Sequence, residues 1–220
     1  MLTDLLVLDL SQYLPGPYAT QALADFGARV IKIEPMQGDA VRHLPPHDAD
    51  GVSAAFRALN QGKESLALDL KSEAGRDLLL RLVDRADVLV EGFRPGVLER
   101  LGVGADVCRT RNPRLIWCAI SGYGQDGPYR DRPGHDANYM SYAGALGVTG
   151  GRDGVPVLPG LQAADTLASL SALSGILLAL CERVPSGTGR LVDASMLDAA
   201  VSVQGFHFAN HKAGQPAGPR

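Results

Sequence analysis

In "GHDANY", Gly134 to Tyr139, a histidine stands beside an acid, an amide and a tyrosine. An imidazole with a pKa of about 6.5 is neutral at pH 7 and can take a proton, so His135 is a candidate general base. The plainer alternative is a polar turn residue, since glycines and prolines crowd the stretch before it. Asp136 fits that turn as a local hydrogen-bond acceptor. A second candidate is Asp165 in "GLQAADTLAS", flanked by Ala163, Ala164 and Leu167. Desolvation there would raise its carboxyl pKa towards that of an acid, whereas a nearby helix N-terminus would lower it. Capping a helix is its ordinary role.

Other polar groups need weighing against these. "GYGQDG" at 122 to 127 satisfies G-x-G-x-x-G and follows an apolar run, as a dinucleotide fingerprint does. Such a motif must open a helix onto the pyrophosphate. Here Pro128 and Pro133 bracket "YRDR" and no apolar helical stripe begins, so the motif reads as a loop. His207 and His211 share a helix face, but Phe208 stands where a zinc hydrolase needs its glutamate and no third ligand is evident. No metal is expected. Lys71 and Arg94 follow strand-like runs, Lys63 stands just before one, and Arg100 lies on a short helix beyond Arg94. Cations gathered at one sheet edge suit a phosphate-bearing ligand; scattered, they are ordinary solvated charges.

The elements that must position these residues alternate. Runs at 5–10, 29–34, 65–70, 87–91 and 114–120 are rich in Val, Ile and Leu, the pattern of parallel strands buried on both faces. Between them lie helical stretches. One follows Pro17 and stops at Gly27; another is capped by Ser72 and carries Ala74, Leu78, Leu79, Leu82, Val83 and Ala86 as one stripe. The expected fold is α/β: a Rossmann-like, open and mainly parallel sheet with flanking helices, followed by an all-helical segment. Residues 1–185 form the expected large domain, and 186–220 a helix and the start of a linker towards a small domain. Two helices, to about 184 and from about Asp193 to His211, are read with no closing strand, and the Gly- and Pro-rich end looks like a chain interrupted in a loop.

The bulk numbers agree with a globular protein. The chain has 220 residues, 45% of them apolar, a net charge of −3 and no run of Lys and Arg, which excludes a nucleic-acid or membrane surface. The stretch "LASLSALSGILLALC" falls short of the roughly 20 residues of a membrane span and reads as a buried helix. Cys108, Cys118 and Cys181 lack metal spacing and read as reduced core residues, pointing to a cytoplasmic setting. "LTDLLVLDL" has no basic n-region and reads as a first strand rather than a signal peptide.

"LSQYLPGPYATQALADFGARVIKIE", "LNQGKESLALDLKS", "ADVLVEGFRPGVLERLG", "SGYGQDGPYRDRPGHDANY" and "PGLQAADTLASLSALSGILLAL" occur in this order. Together they resemble family III CoA transferases, the CaiB/BaiF family, which includes the α-methylacyl-CoA racemases. The resemblance implies an acyl-CoA thioester as ligand, coenzyme A entering only as part of that substrate, no tightly bound cofactor, and an interlocked homodimer. By position it assigns CoA contacts to Leu68, Asp69, Leu70, Lys71, Gly92, Phe93, Arg94, Arg100, Gly134 and Tyr139.

The family divides by chemistry. In transferases an Asp attacks the thioester and becomes an acyl anhydride; in racemases a His and an Asp exchange the α-proton through an enolate. Asp165 matches the Asp of both branches, and His135 matches the racemase base. Some transferases carry a Gln where Leu14 stands. Epimerisation of the α-methylacyl-CoA racemase type is therefore the first expectation. CoA transfer through Asp165, or an inactive or partner-dependent CoA-binding fragment, are the alternatives. Family members are usually much longer, so association with a chain supplying the missing half is also expected.

Overall fold

The computed structural model describes residues 1–150 and 153–215. Along the chain come β1 (Leu6–Leu10), α1 (Pro15–Asp25), β2 (Arg29–Glu34), α2 (Ala54–Asn60), β3 (Glu64–Ala67), α3 (Glu73–Val83), β4 (Val88–Glu91) and α4 (Val97–Arg100). Then follow α5 (Ala105–Arg111), β5 (Ile116–Ser121), α6 (Asp136–Tyr142), α7 (Ala163–Ser186), β6 (Leu191–Ser195), α8 (Met196–Ser202) and α9 (Gly205–Lys212). Six strands form one parallel sheet in the order β3-β2-β1-β4-β5-β6. The order reverses between β1 and β4, and their C-terminal ends diverge into loops that open a crevice.

Local chemistry sets the helix ends. Pro15 and Pro17 start α1, where a missing N–H costs nothing, and Gly27 ends it at φ 102°. Ser72 caps α3 by accepting the Gly75 N–H at 3.0 Å. Of the expected stripe, Leu79, Val83 and Ala86 are buried, Leu78 and Leu82 half-buried, and Ala74 exposed.

The sheet is covered on both faces. Val7, Val88, Val90 and Ile120 pack against Leu23 of α1 and Ala168, Ala172 and Ile176 of α7. Leu8, Leu89 and Trp117 pack with Leu79 of α3 and Cys108 of α5. The small residues of α7 let it lie close to the sheet: a Cβ on Gly175 would fall 2.6 Å from Val192. By length and composition α7 could cross a membrane, but it lies along the sheet and its Arg183, 7% exposed, pairs with Asp87 at 2.9 Å. It is buried on one side only, since Leu170, Leu177, Leu178 and Val184 remain exposed.

Three expectations need correction. The stretch after 186 is not all helical, because β6 pairs with β5 and the following helix begins at Met196 rather than near Asp193. This strand lies at the sheet edge with Leu191 half in solvent, and its last residue, Ser195, caps α8 through the Asp198 N–H. No turn residue separates strand from helix, so the sequence merges them. The third strand ends at Ala67 instead of residue 70, leaving 68–71 as a turn. Cys181 is exposed, whereas Cys108 and Cys118 are buried. Residues 216–220 of the Gly- and Pro-rich end lie outside the described residues.

Candidate active site

A cleft of ≈ 510 Å³ opens at the crevice between β1 and β4. Its walls come from the loop after β1 (Gln12, Tyr13), the loop after β4 (Gly92 to Pro95), the end of β5 and the β5–α6 loop. His135 and Asp165, far apart in sequence, both line it.

Asp165 lies in the first turn of α7, among Ala164, Ala168 and the α6 side chains packed on that helix. Burial pushes its carboxyl up to about 6, the Asp136 charge adds to the rise, and His135 opposes it. The helix terminus fails to cancel the shift for a specific reason: Asp136 Oδ1 accepts the Ala164 N–H at 2.6 Å and the Asp165 N–H at 3.2 Å. Asp136 therefore caps α7 across the fold instead of closing its own turn. Those two N–H groups are also no longer free to stabilise an oxyanion.

The β5–α6 loop is held from inside. Tyr139, 5% exposed, donates its hydroxyl to the Gly134 carbonyl at 2.6 Å, and its ring packs edge-on against Tyr123. A Cβ on Gly122 or Gly134 would lie 2.6 or 2.7 Å from that ring, so both positions need glycine. The His135 N–H donates to Asn138 Oδ1 at 2.9 Å, which starts α6 with the imidazole facing the cleft. "GYGQDG" is a loop running from Ser121 without a helix behind it.

A buried charge network underlies the opposite wall. Asp9, fully buried, accepts from Lys63 Nζ at 3.0 Å, from Thr20 Oγ1 at 2.6 Å, and from the Ser11 N–H and hydroxyl. Burial pushes the Asp9 carboxyl up, but Lys63, Lys32 and these hydrogen bonds outweigh it and hold the group below the ordinary range. Lys32 in turn donates to the Ser11 carbonyl and pairs with Asp39, both at 2.9 Å. Beyond Ser11 the chain turns through Tyr13 at φ 61°, a left-handed conformation that costs about 1–2 kcal/mol in a non-glycine residue.

The chain matches the model of CoA-transferase family III over residues 2–220. It belongs to that family. It is 43% identical over 211 residues to an acyl-CoA transferase of Fusarium pseudograminearum, with 92% of this chain and 46% of the relative covered. To the succinyl-CoA:mesaconate CoA-transferase of Haloarcula hispanica it is 40% identical, covering 92% of this chain and 53% of the relative. A solved CaiB/BaiF family protein from Brucella suis superposes with a TM-score of 0.94 at 36% identity, covering 98% of this chain and 59% of that one. The chain thus spans about half the length of the curated relatives it matches.

The residues assigned by resemblance to family III proteins fall into two adjoining hollows. Gly92, Phe93, Arg94, Gly134 and Tyr139 line the cleft with His135 and Asp165. Leu68, Asp69, Leu70 and Lys71 line a second hollow of ≈ 440 Å³, and Phe93 and Gln12 border both. Two cations depart from the expected cluster. Arg100 lines neither hollow and sits exposed at the end of α4. Lys63 is consumed by Asp9, its side chain 1% exposed. The sequence reading missed Tyr13, Arg130 and Arg132 in "YRDR", and the capping by Asp136. The arginines carried a signal, being the cations nearest His135; the Asp136–α7 contact carried none, because it joins residues that only tertiary packing brings together.

Proposed function

We propose that the protein works on acyl-CoA thioesters by CoA transfer, exchanging coenzyme A between an acyl-CoA and a carboxylic acid, with Asp165 as nucleophile. The observation that carries this is the Asp165 carboxyl, desolvated and raised to about 6 at the wall of an open cleft. Such a group is still about nine-tenths ionised at pH 7, yet more basic than an ordinary aspartate and therefore more nucleophilic. Both named relatives are transferases, which favours this over the epimerisation first expected from His135.

The exchange follows from carboxyl chemistry. An Asp165 oxygen attacks the thioester carbonyl, the C–S bond breaks, and CoA leaves as thiolate from a mixed anhydride. The thiolate returns to the aspartyl carbonyl, releasing the first acid. A second acid attacks that enzyme thioester, and a last thiolate attack on its acyl carbon regenerates Asp165. Each step conserves one activated acyl bond, so water must be kept out. In this reading the CoA moiety occupies the second hollow, which Leu68 to Lys71 line, and Phe93, which borders both hollows, supports a path from there to the cleft. Hydroxylamine trapping of an acyl-enzyme from an acyl-CoA, abolished in Asp165→Asn, tests the reading; acyl-CoA binding without any trappable species would overturn it.

One observation favours epimerisation as a second reading: His135 lines the same cleft as Asp165. Deuterium wash-in at the α-carbon of a 2-methylacyl-CoA, lost in His135→Ala, would support it. The proposal extends to assembly and setting. The exposed Leu178, Val184 and Phe206 support pairing with a second copy or with a chain supplying the remaining half. The unpaired thiols support a reducing, cytoplasmic environment.

A further inference from the structure

Tyr13 is the one non-glycine residue among those described with a positive φ, 61°. That conformation brings an L side chain's Cβ too close to the following carbonyl oxygen, so the surrounding structure must impose it. Burial of its own ring does not, because the residue is 53% exposed.

The hold comes from the chain on either side. Lys32 Nζ donates to the Ser11 carbonyl at 2.9 Å, while Asp9 accepts the Ser11 N–H at 3.0 Å. Lys63 Nζ donates to the Pro17 carbonyl at 2.9 Å and to Asn60 Oδ1 at 2.9 Å. Both lysine side chains are 1% exposed, so neither anchor has water to exchange with. The start of α1 also lies hard against Ser11, where a Cβ on Gly16 would fall 2.1 Å from that side chain. Five residues join the two anchors, and Pro15 among them has its φ fixed, so the chain turns sharply at Tyr13.

Tyr13 lines the cleft and not the second hollow, whereas its neighbour Gln12 borders both. Phe93, Ile120, Pro133 and Met196 give the same cleft an apolar share, to which a tyrosine ring adds a broad face with little rotational freedom to lose. We infer that Tyr13 is an acyl-contact residue: the two buried lysines hold its strained backbone so that the ring packs against the hydrocarbon chain of the acyl group. This rests on the reading above that puts the acyl thioester in the cleft and the CoA moiety in the second hollow.

Calorimetric titration of the Asp165→Asn protein with free CoA and with butyryl-CoA separates the acyl contact from the CoA contacts, with the proposed nucleophile removed. Butyryl-CoA should bind at least about tenfold more tightly than CoA, as burial of a four-carbon chain implies. Adding Tyr13→Ala should cut that preference at least about threefold with CoA affinity unchanged, and Tyr13→Phe should keep it. Tyr13→Gly should show the same loss as Tyr13→Ala yet melt at a higher temperature, because glycine adopts a positive φ without strain. An unchanged preference in Tyr13→Ala would overturn the acyl contact alone. So would an equal loss for both ligands, which would assign the residue to CoA or to folding of the loop. Equal melting temperatures of the glycine and alanine variants would overturn the strained hold. Binding of neither ligand to the Asp165→Asn protein or to the parent would overturn the parent reading together with this one.

Discussion

If Asp165 is the nucleophile proposed above, activity and stability pull on it in opposite directions. Its folded pKa, about 6, lies above the ordinary 3.8, so the folded state disfavours the ionised form that the proposed attack requires. The stability penalty is absent below pH 3.8, grows as pH rises towards 6, and is complete above it. Asp165→Asn should lower the rate of thioester exchange by at least about 10³-fold while melting at a higher temperature than the parent at pH 7 to 8. That difference in thermal melts should vanish below about pH 4. In the parent, kcat/KM should rise with pH through a midpoint near 6 as Asp165 ionises. Asp136→Asn keeps the oxygen that caps α7 but removes the second cause of the raised pKa, so the midpoint should move to lower pH.

At the scale of elements, the cleft depends on how two loops are pinned to the sheet. Lys63, which follows α2, locks the end of β1 by neutralising Asp9. Lys63→Met leaves a buried carboxylate without its cation and should cost about 3–5 kcal/mol in urea unfolding, and adding Asp9→Asn should recover part of that loss. The other loop rests on Tyr139. Gly122→Ala would push a methyl group into the ring at 2.6 Å, loosening the Gly134 contact and the start of α6. We expect that variant to weaken acyl-CoA binding with a modest loss of stability, measured by calorimetry and thermal melting. Most of the strands were legible because parallel strands buried on both faces read as unbroken Val, Ile and Leu runs. The strand that was missed, β6, is an edge strand with Asp193 in its middle and a helix cap at its end, so its sequence signal is half polar and its boundary unmarked.

At the scale of the whole molecule, the buried acid Glu91 reports on folding. It ends β4 beneath the crevice, 6% exposed, and accepts the Phe93 N–H at 2.8 Å. Burial raises its carboxyl to about 8, with Glu99 and Asp193 adding to the rise against the Phe93 hydrogen bond. Between its ordinary 4.5 and about 8 the folded state holds a proton that the unfolded chain has released. Stability should therefore fall as pH rises through that window, by about 1.4 kcal/mol per unit, and level off above 8. Urea unfolding from pH 5 to 9 should show a parent-minus-Glu91→Gln difference with that slope.

Sequence alone determined the α/β class and the family, and it singled out His135 and Asp165, which folding brings to one cleft. It could do so because strand burial, turn chemistry and ordered motifs are local in the chain. What only the tertiary structure decided was which charges remain available and at what pKa. Lys63 and Lys71 look alike in sequence, yet folding buries one against Asp9 and leaves the other at a hollow's rim. Asp136 looks like a turn residue until packing sets it on the first N–H groups of α7, where its charge helps to tune Asp165. Desolvation and Coulomb interactions depend on distance through space, and the spacing of residues along a chain does not carry that distance.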